Sequence, residues 1–200
     1  MLTPFQLIFV LAFSVGFNLI PFAGPSNLFI ASNIALMLGD ADATALVIVG
    51  VLVALGAALA KSVHYLVTFF VSKHLSDKQQ KRLNSEALKI RKWAPLLLFA
   101  AAATPIPDEP VVIPLGLMRY NPAKFFSVYF LGKLSITVVG AFLGEWTGSR
   151  FAEWLTPEET IALSIALTVI ITLVMLKVDV GKLAERILKR KTATPSQRPT

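Results

Sequence analysis

The chain has 200 residues, of which 55% are hydrophobic and 16% are charged. A soluble domain carries about a quarter charged residues to cover its surface, so this composition argues against a soluble enzyme of ordinary design. The formal net charge is +7, and in an apolar chain such an excess indicates membrane orientation and anionic lipid rather than nucleic acid.

Six apolar runs follow one another along the chain, at about residues 5–20, 28–38, 43–71, 96–117, 125–143 and 161–176. A membrane-spanning helix needs about 20 such residues. The first run has neither a basic flank nor a small-residue cleavage site, which favours a retained helix over a signal peptide. The sequence predicts an all-α polytopic membrane protein with about four spanning helices.

Prolines interrupt two of these runs. A proline inside a helix costs roughly 3 kcal/mol, and irregular backbone at membrane depth must be buried in protein or line a wet cavity. The sequence therefore predicts two re-entrant hairpins, at about residues 20–39 and 95–118, with kinked spanning helices as the alternative. The hairpin-tip residues are predicted to be Pro21, Gly24, Pro25, Pro105, Pro107, Pro110 and Gly116.

The charges sort into two groups along the chain. Basic residues concentrate in segment 72–94 and in the amphipathic tail at 178–200, whereas acids dominate residues 39–42 and 145–159. The positive-inside rule is satisfied only if each hairpin returns to the face that it entered, which gives two oppositely oriented hairpins, as in an inverted repeat. We expect residues 1–177 to form a transporter domain in the plasma membrane, with the basic loop and the C-terminus cytoplasmic.

Asp108 and Glu109 are the sharpest functional candidates, because ionisable groups at membrane depth are costly and usually functional. Desolvation would favour a protonated carboxyl group and suit proton coupling, whereas a cationic partner would suit a cation site. The alternative is that the two acids only cap the helix that follows the turn.

Five further residues are candidates for the coupling or substrate path: Lys61, His64, Lys133, Arg119 and Asn27. Lys61 and His64 share one helix face, although Lys61 at the interface would merely snorkel. Lys133 lies inside an apolar run and is expected to pair with one of the acids or to meet a phosphate. Asn27 would hold a polar head group at the first hairpin without a charge.

Three segments together resemble the DedA, or VTT (SNARE-associated Golgi protein), family over about residues 20–144. They are Thr104-Pro-Ile-Pro-Asp-Glu-Pro with the following Gly116-Leu-Met-Arg-Tyr-Asn-Pro, then Pro21-Phe-Ala-Gly-Pro-Ser-Asn-Leu, and the glycine-rich Ala54 to Tyr65. The resemblance implies two facing re-entrant hairpins and movement of lipids across the bilayer, either polyprenyl-phosphate carriers, often with proton coupling, or phospholipids. The chain departs from the commoner family pattern by an exchange of charge signs. Asn27 replaces an acid and Lys61 replaces an aspartate. The arginines of the family's second hairpin fall near Thr104 and Pro110, while acids appear at Asp108 and Glu109.

The sequence thus predicts a DedA-type lipid transporter whose partners are membrane lipids, including anionic lipid phosphate, and protons or a monovalent cation. A small-solute or drug exporter and a non-transporting membrane-organising protein are the alternatives, and a homodimer is compatible with each. We expect no enzymatic activity, no cofactor and no nucleic-acid partner. The chain has no cysteine and only two histidines, so no metal site is expected either.

Overall fold

The structure, a computed structural model, describes residues 2–21, 25–39, 41–76, 92–151 and 154–177. Within these residues every regular element is helical, so the predicted all-α class is confirmed. The helices are α1 (Pro4–Asn18), α2 (Asn27–Leu38), α3 (Ala43–Val71), α4 (Ala94–Ala102), α5 (Glu109–Leu117), α6 (Pro122–Phe151) and α7 (Pro157–Lys177), with a 3₁₀ turn at Ser72–His74 after α3. Gly24, most of the basic segment and the tail at 178–200 lie outside the described residues, so the predictions about them stay predictions.

The long helices α3 and α6 form an antiparallel pair at the centre of the molecule. The Thr137 hydroxyl donates to the Gly50 carbonyl at 2.8 Å, and Tyr65 stacks on Phe125 with ring centroids 4.4 Å apart. With 29 and 30 residues, the helices are each roughly 44 Å long. Both are long and apolar enough to cross a membrane.

Helix α2 lies parallel to α6 along a stripe of glycines. A methyl group added at Gly140 would lie 2.5 Å from the Leu28 carbonyl oxygen, and the Ser32 hydroxyl donates to the Gly140 carbonyl at 2.6 Å. A methyl group added at Gly144 would likewise lie too close to the Ser32 backbone, and one added at Gly148 would lie 2.8 Å from the Leu36 side chain. Small residues four apart let two helix backbones approach closely, as is common between membrane helices.

Helix α1 is the first arm of a helix–turn–helix whose second arm is α2. It runs in the same general direction as α3, since Ser14 donates to the Val53 carbonyl at 2.8 Å and His64 Nε2 lies 3.1 Å from the Leu19 carbonyl oxygen. With 15 residues, α1 is about 22 Å long, short of the ~30 Å hydrocarbon core. The prediction of a separate spanning helix at 5–20 is therefore not confirmed. The first hairpin predicted at 20–39 corresponds instead to α1, the turn and α2.

Helices α4 and α5 form the second helix–turn–helix, at the place predicted for the second hairpin. Pro105 and Pro107 lie in the turn between them, and Pro110 lies in the first turn of α5, where the missing N–H leaves no hydrogen bond unmade. Gly116 was predicted at the hairpin tip but lies near the far end of α5. There a methyl group would come within 2.7 Å of the Tyr65 carbonyl oxygen, so this glycine serves close packing on α3.

The two halves repeat the same order of two short helices and one long helix. In the first half, a methyl group at Gly56 would lie 3.0 Å from the Leu11 carbonyl oxygen; in the second, one at Gly132 would lie 2.8 Å from that of Phe99. In each half, the first short helix therefore packs against a glycine of the long helix. Because α3 and α6 are antiparallel, the two halves run in opposite directions.

Gly140→Ala should destabilise the fold by about 1–3 kcal/mol, because the added methyl group has only the rigid Leu28 backbone to displace. The matched control is Gly16→Ala, which meets nothing within 4 Å and should be neutral or slightly stabilising in its helix. Thermal unfolding in detergent measures both. Equal melting temperatures for the two variants would contradict the close contact between α2 and α6.

Candidate functional site

Four of the predicted site residues meet in one buried ion-pair cluster, formed by Lys61 on α3, Asp108 and Glu109 at the start of α5, and Lys133 on α6. The Lys61 ammonium lies 3.2 Å from Asp108 Oδ1 and contacts Glu109 Oε1 directly, and the Lys133 ammonium lies 2.9 Å from Asp108 Oδ2. None of the four side chains is more than 6% exposed. Asp108 therefore joins the two long helices through its carboxylate.

The cluster contains two ammonium groups and two carboxylates, and it is formally neutral. A charge at membrane depth costs about 2.5–3.5 kcal/mol on insertion scales, and removing one member of a buried ion pair costs about 3–5 kcal/mol because its partner is left uncompensated. Mutual neutralisation explains how four ionisable side chains stay buried together.

Tyr129 completes the cluster, although the sequence analysis did not identify it. Its hydroxyl donates to Asp108 Oδ2, and the Lys133 ammonium lies 5.3 Å from its ring centroid. The side chain is fully buried. The available signal was its spacing, since Tyr129 precedes Lys133 by four residues and so shares its helix face.

The geometry favours a bridging role for the acids over the capping alternative. Asp108 occupies the N-cap position of α5, yet its side chain accepts no hydrogen bond from the α5 backbone. Its carboxylate faces Lys61, Lys133 and Tyr129 instead. Snorkelling of Lys61 is likewise not observed, because its ammonium is buried against two carboxylates.

His64, Asn27 and Arg119 lie outside the cluster. His64 joins α3 to the end of α1 through the Leu19 carbonyl. Arg119 follows α5 at the end away from Asp108, and its guanidinium donates to the Ser72 hydroxyl at 2.9 Å and to the Ser72 carbonyl at 3.1 Å. Its φ of 51° is the left-handed conformation that reverses the chain after the helix. Arg119 thus fastens this turn to the end of α3.

Asn27 belongs to an uncharged polar cluster at the first helix–turn–helix. Asn18 and Asn27 exchange two hydrogen bonds between their side-chain amides, at 2.8 and 2.9 Å, and the Asn18 amide also donates to the Ser14 carbonyl. All three residues are buried. Asn27 was predicted from the sequence, whereas Asn18 and Ser14, which lie in an otherwise apolar run, were not.

The arrangement offers proton exchange at carboxylates and electrostatic contact with an anion. Within the described residues, no group of three or more histidine, cysteine or acidic side chains is arranged to hold a metal ion.

The family model described as the VTT domain matches residues 4–146. The chain belongs to this family, the DedA family. Searches of curated proteins and of solved structures gave no match. The matched VTT domain comprises both helix–turn–helix units and most of α6, and it contains every residue of the ion-pair cluster. Since the family is membrane-associated, the long apolar helices are those of a membrane protein.

Lys133→Met should lower the melting temperature sharply, because the buried cluster is left with one net negative charge. Adding Asp108→Asn removes that charge and should restore part of the lost melting temperature. A double-mutant cycle of thermal unfolding in detergent should give a coupling of about 1–3 kcal/mol. Lys124→Met, at an exposed position on the same helix, is the control and should change little. Simple additivity of the two cluster mutations would show that the ion pair contributes nothing.

Proposed function

We propose that this chain is a transporter that moves a lipid with an anionic head group, a polyprenyl phosphate or a phospholipid, across the membrane with a proton or a monovalent cation. The observation that carries the proposal is the buried, neutral cluster of Lys61, Asp108, Glu109 and Lys133 at the start of a short helix. Membership of a membrane-protein family supports it.

The proposed topology has α3, α6 and α7 spanning the membrane, with α1–α2 and α4–α5 as re-entrant hairpins from opposite faces. The short arms of both units and the antiparallel long helices support it. Trp93 before α4 and Trp146 near the end of α6 are more than half exposed, and each lies close to a basic side chain. Tryptophan and basic residues are typical of the two membrane interfaces.

In the proposed mechanism, the hairpins bring polar groups to mid-bilayer, so that a head group crosses while its tail stays in lipid. Asp108 exchanges the coupling ion, and a lysine ammonium meets the phosphate. A proton entering together with an anion keeps the buried charge balanced, which lowers the electrostatic barrier at membrane depth.

Asp108→Asn should abolish lipid movement driven by a pH gradient, because it removes the carboxylate that takes up the proton. Glu109→Gln should abolish it as well, because Lys61 would then have Asp108 as its remaining partner in the cluster and would hold that carboxylate in its charged form. The measurement is transfer of a polyprenyl phosphate and of a labelled phospholipid between leaflets of proteoliposomes containing the full chain. Lys124→Gln, exposed on α6, is the control and should transport normally. Normal transport by both acid variants would overturn the coupling role.

The same proteoliposomes distinguish the alternatives. Competition between lipid movement and an added polyprenyl phosphate supports the lipid transporter. Flux of small solutes that this lipid leaves unaffected would indicate an exporter, and absence of any flux would indicate a membrane-organising protein.

The proposed topology predicts opposite labelling of two single-cysteine variants, Lys73→Cys after α3 and Trp154→Cys before α7. Both positions are exposed, and the natural chain has no cysteine to interfere. A membrane-impermeant maleimide should label residue 154 in intact cells and residue 73 only after permeabilisation. Labelling of both from the same side would contradict the arrangement.

A further inference from the structure

We propose that the two lysines of the ion-pair cluster have different roles. Lys133, together with Tyr129, forms the position at which the phosphate group of the substrate binds, whereas Lys61 and Glu109 form a structural pair that holds α5 on α3. This inference rests on the proposed function and assigns its substrate contact to one side of the cluster.

The contacts of Asp108 are divided between the two long helices. Its Oδ1 atom faces Lys61 of α3, whereas its Oδ2 atom faces both Lys133 and Tyr129 of α6. Lys61 contacts a second carboxylate, that of Glu109. Lys133, by contrast, forms its ion pair with Asp108.

Neutralising Asp108 therefore affects the two lysines unequally. When Asp108 takes one proton from a hydronium ion, a hydronium O–H bond breaks, a carboxyl O–H bond forms, a water molecule is released and the carboxylate becomes neutral. Lys61 keeps its contact with Glu109, but the buried ion pair between the Lys133 ammonium and Asp108 is lost. An anion bearing one negative charge restores neutrality at Lys133, so the site takes up one proton for each negative charge that enters.

The geometry at Asp108 Oδ2 shows which donors an anion would find. The Lys133 ammonium and the Tyr129 hydroxyl come from the same face of α6 and converge on this one oxygen. A phosphate oxygen in its place would accept the same two hydrogen bonds, one of them charge-assisted. The Tyr129 ring, 5.3 Å from the ammonium, adds a cation–π contact that holds the lysine in place.

The Lys61 side of the cluster belongs to a continuous attachment of α5 to α3. Lys61 and Glu109 contact each other at the start of α5, Gly116 packs on Tyr65 further along, and Arg119 binds Ser72 beyond its end. The contact between Lys61 and Glu109 is thus one of three along the same helix pair, which is what a structural role requires.

The test measures binding of farnesyl phosphate and of inorganic phosphate to the purified full-length chain in nanodiscs, by calorimetry at constant pH. Asp108→Asn, which makes this side chain permanently neutral, should raise affinity for farnesyl phosphate about tenfold or more. In that background, adding Lys133→Gln should abolish binding, and adding Tyr129→Phe should weaken it about fivefold to tenfold through loss of one hydrogen bond. Lys133→Arg should retain binding.

The matched control adds Lys61→Gln with Glu109→Gln to Asp108→Asn, so that an ion pair is removed whole and Lys133 remains. Binding should stay within about threefold while the melting temperature falls. The inference is overturned if Asp108→Asn does not raise affinity, or if binding survives loss of Lys133 but not loss of the Lys61–Glu109 pair. Equal affinity for inorganic phosphate would support the Lys133 site but contradict a lipid substrate, so failure of the inference and failure of the proposed function are distinguishable.

Discussion

The centre of the structure depends on the contacts that the Asp108 carboxylate makes. One oxygen faces Lys61 of α3 and the other faces Lys133 and Tyr129 of α6, so a single short side chain connects the two antiparallel halves. Such a connection is stable only while the charges around it balance. Because the cluster is buried, its charges must balance. An ion that enters the cluster must therefore be accompanied by an ion of opposite charge.

The packing of the short helices holds the charged groups of the cluster in place. Gly140 and Gly144 let α2 lie against α6, and Gly116 lets α5 lie against α3. Each second arm therefore contacts the long helix of the opposite half, whereas each first arm contacts that of its own half. The start of α5 is held from both sides, which positions Asp108 between the two lysines although its side chain makes no capping hydrogen bond to the α5 backbone.

Much of this was predictable from the sequence. Apolar run length predicted the helical class, and the rarity of charges within those runs predicted Lys61, Asp108, Glu109 and Lys133 as candidates. The boundary of α1 was not predictable, because apolar length alone does not distinguish a hairpin arm from a spanning helix. Tyr129 and Asn18 were missed because their polar atoms matter only through partners that folding brings near, which are Asp108 for Tyr129 and Asn27 for Asn18.

The self-contained asparagine pair has a consequence for how the protein is made. A chain is synthesised from its N-terminus, so the first half reaches the membrane before α6 exists. Asn18 and Asn27 satisfy each other within that half, and their polar groups need not wait for a later segment. The acids of the second half emerge when Lys61 is already present. The uncharged pair thus suits the half that inserts first, whereas Lys61 of that half gains its carboxylate partners only when the second half completes the molecule.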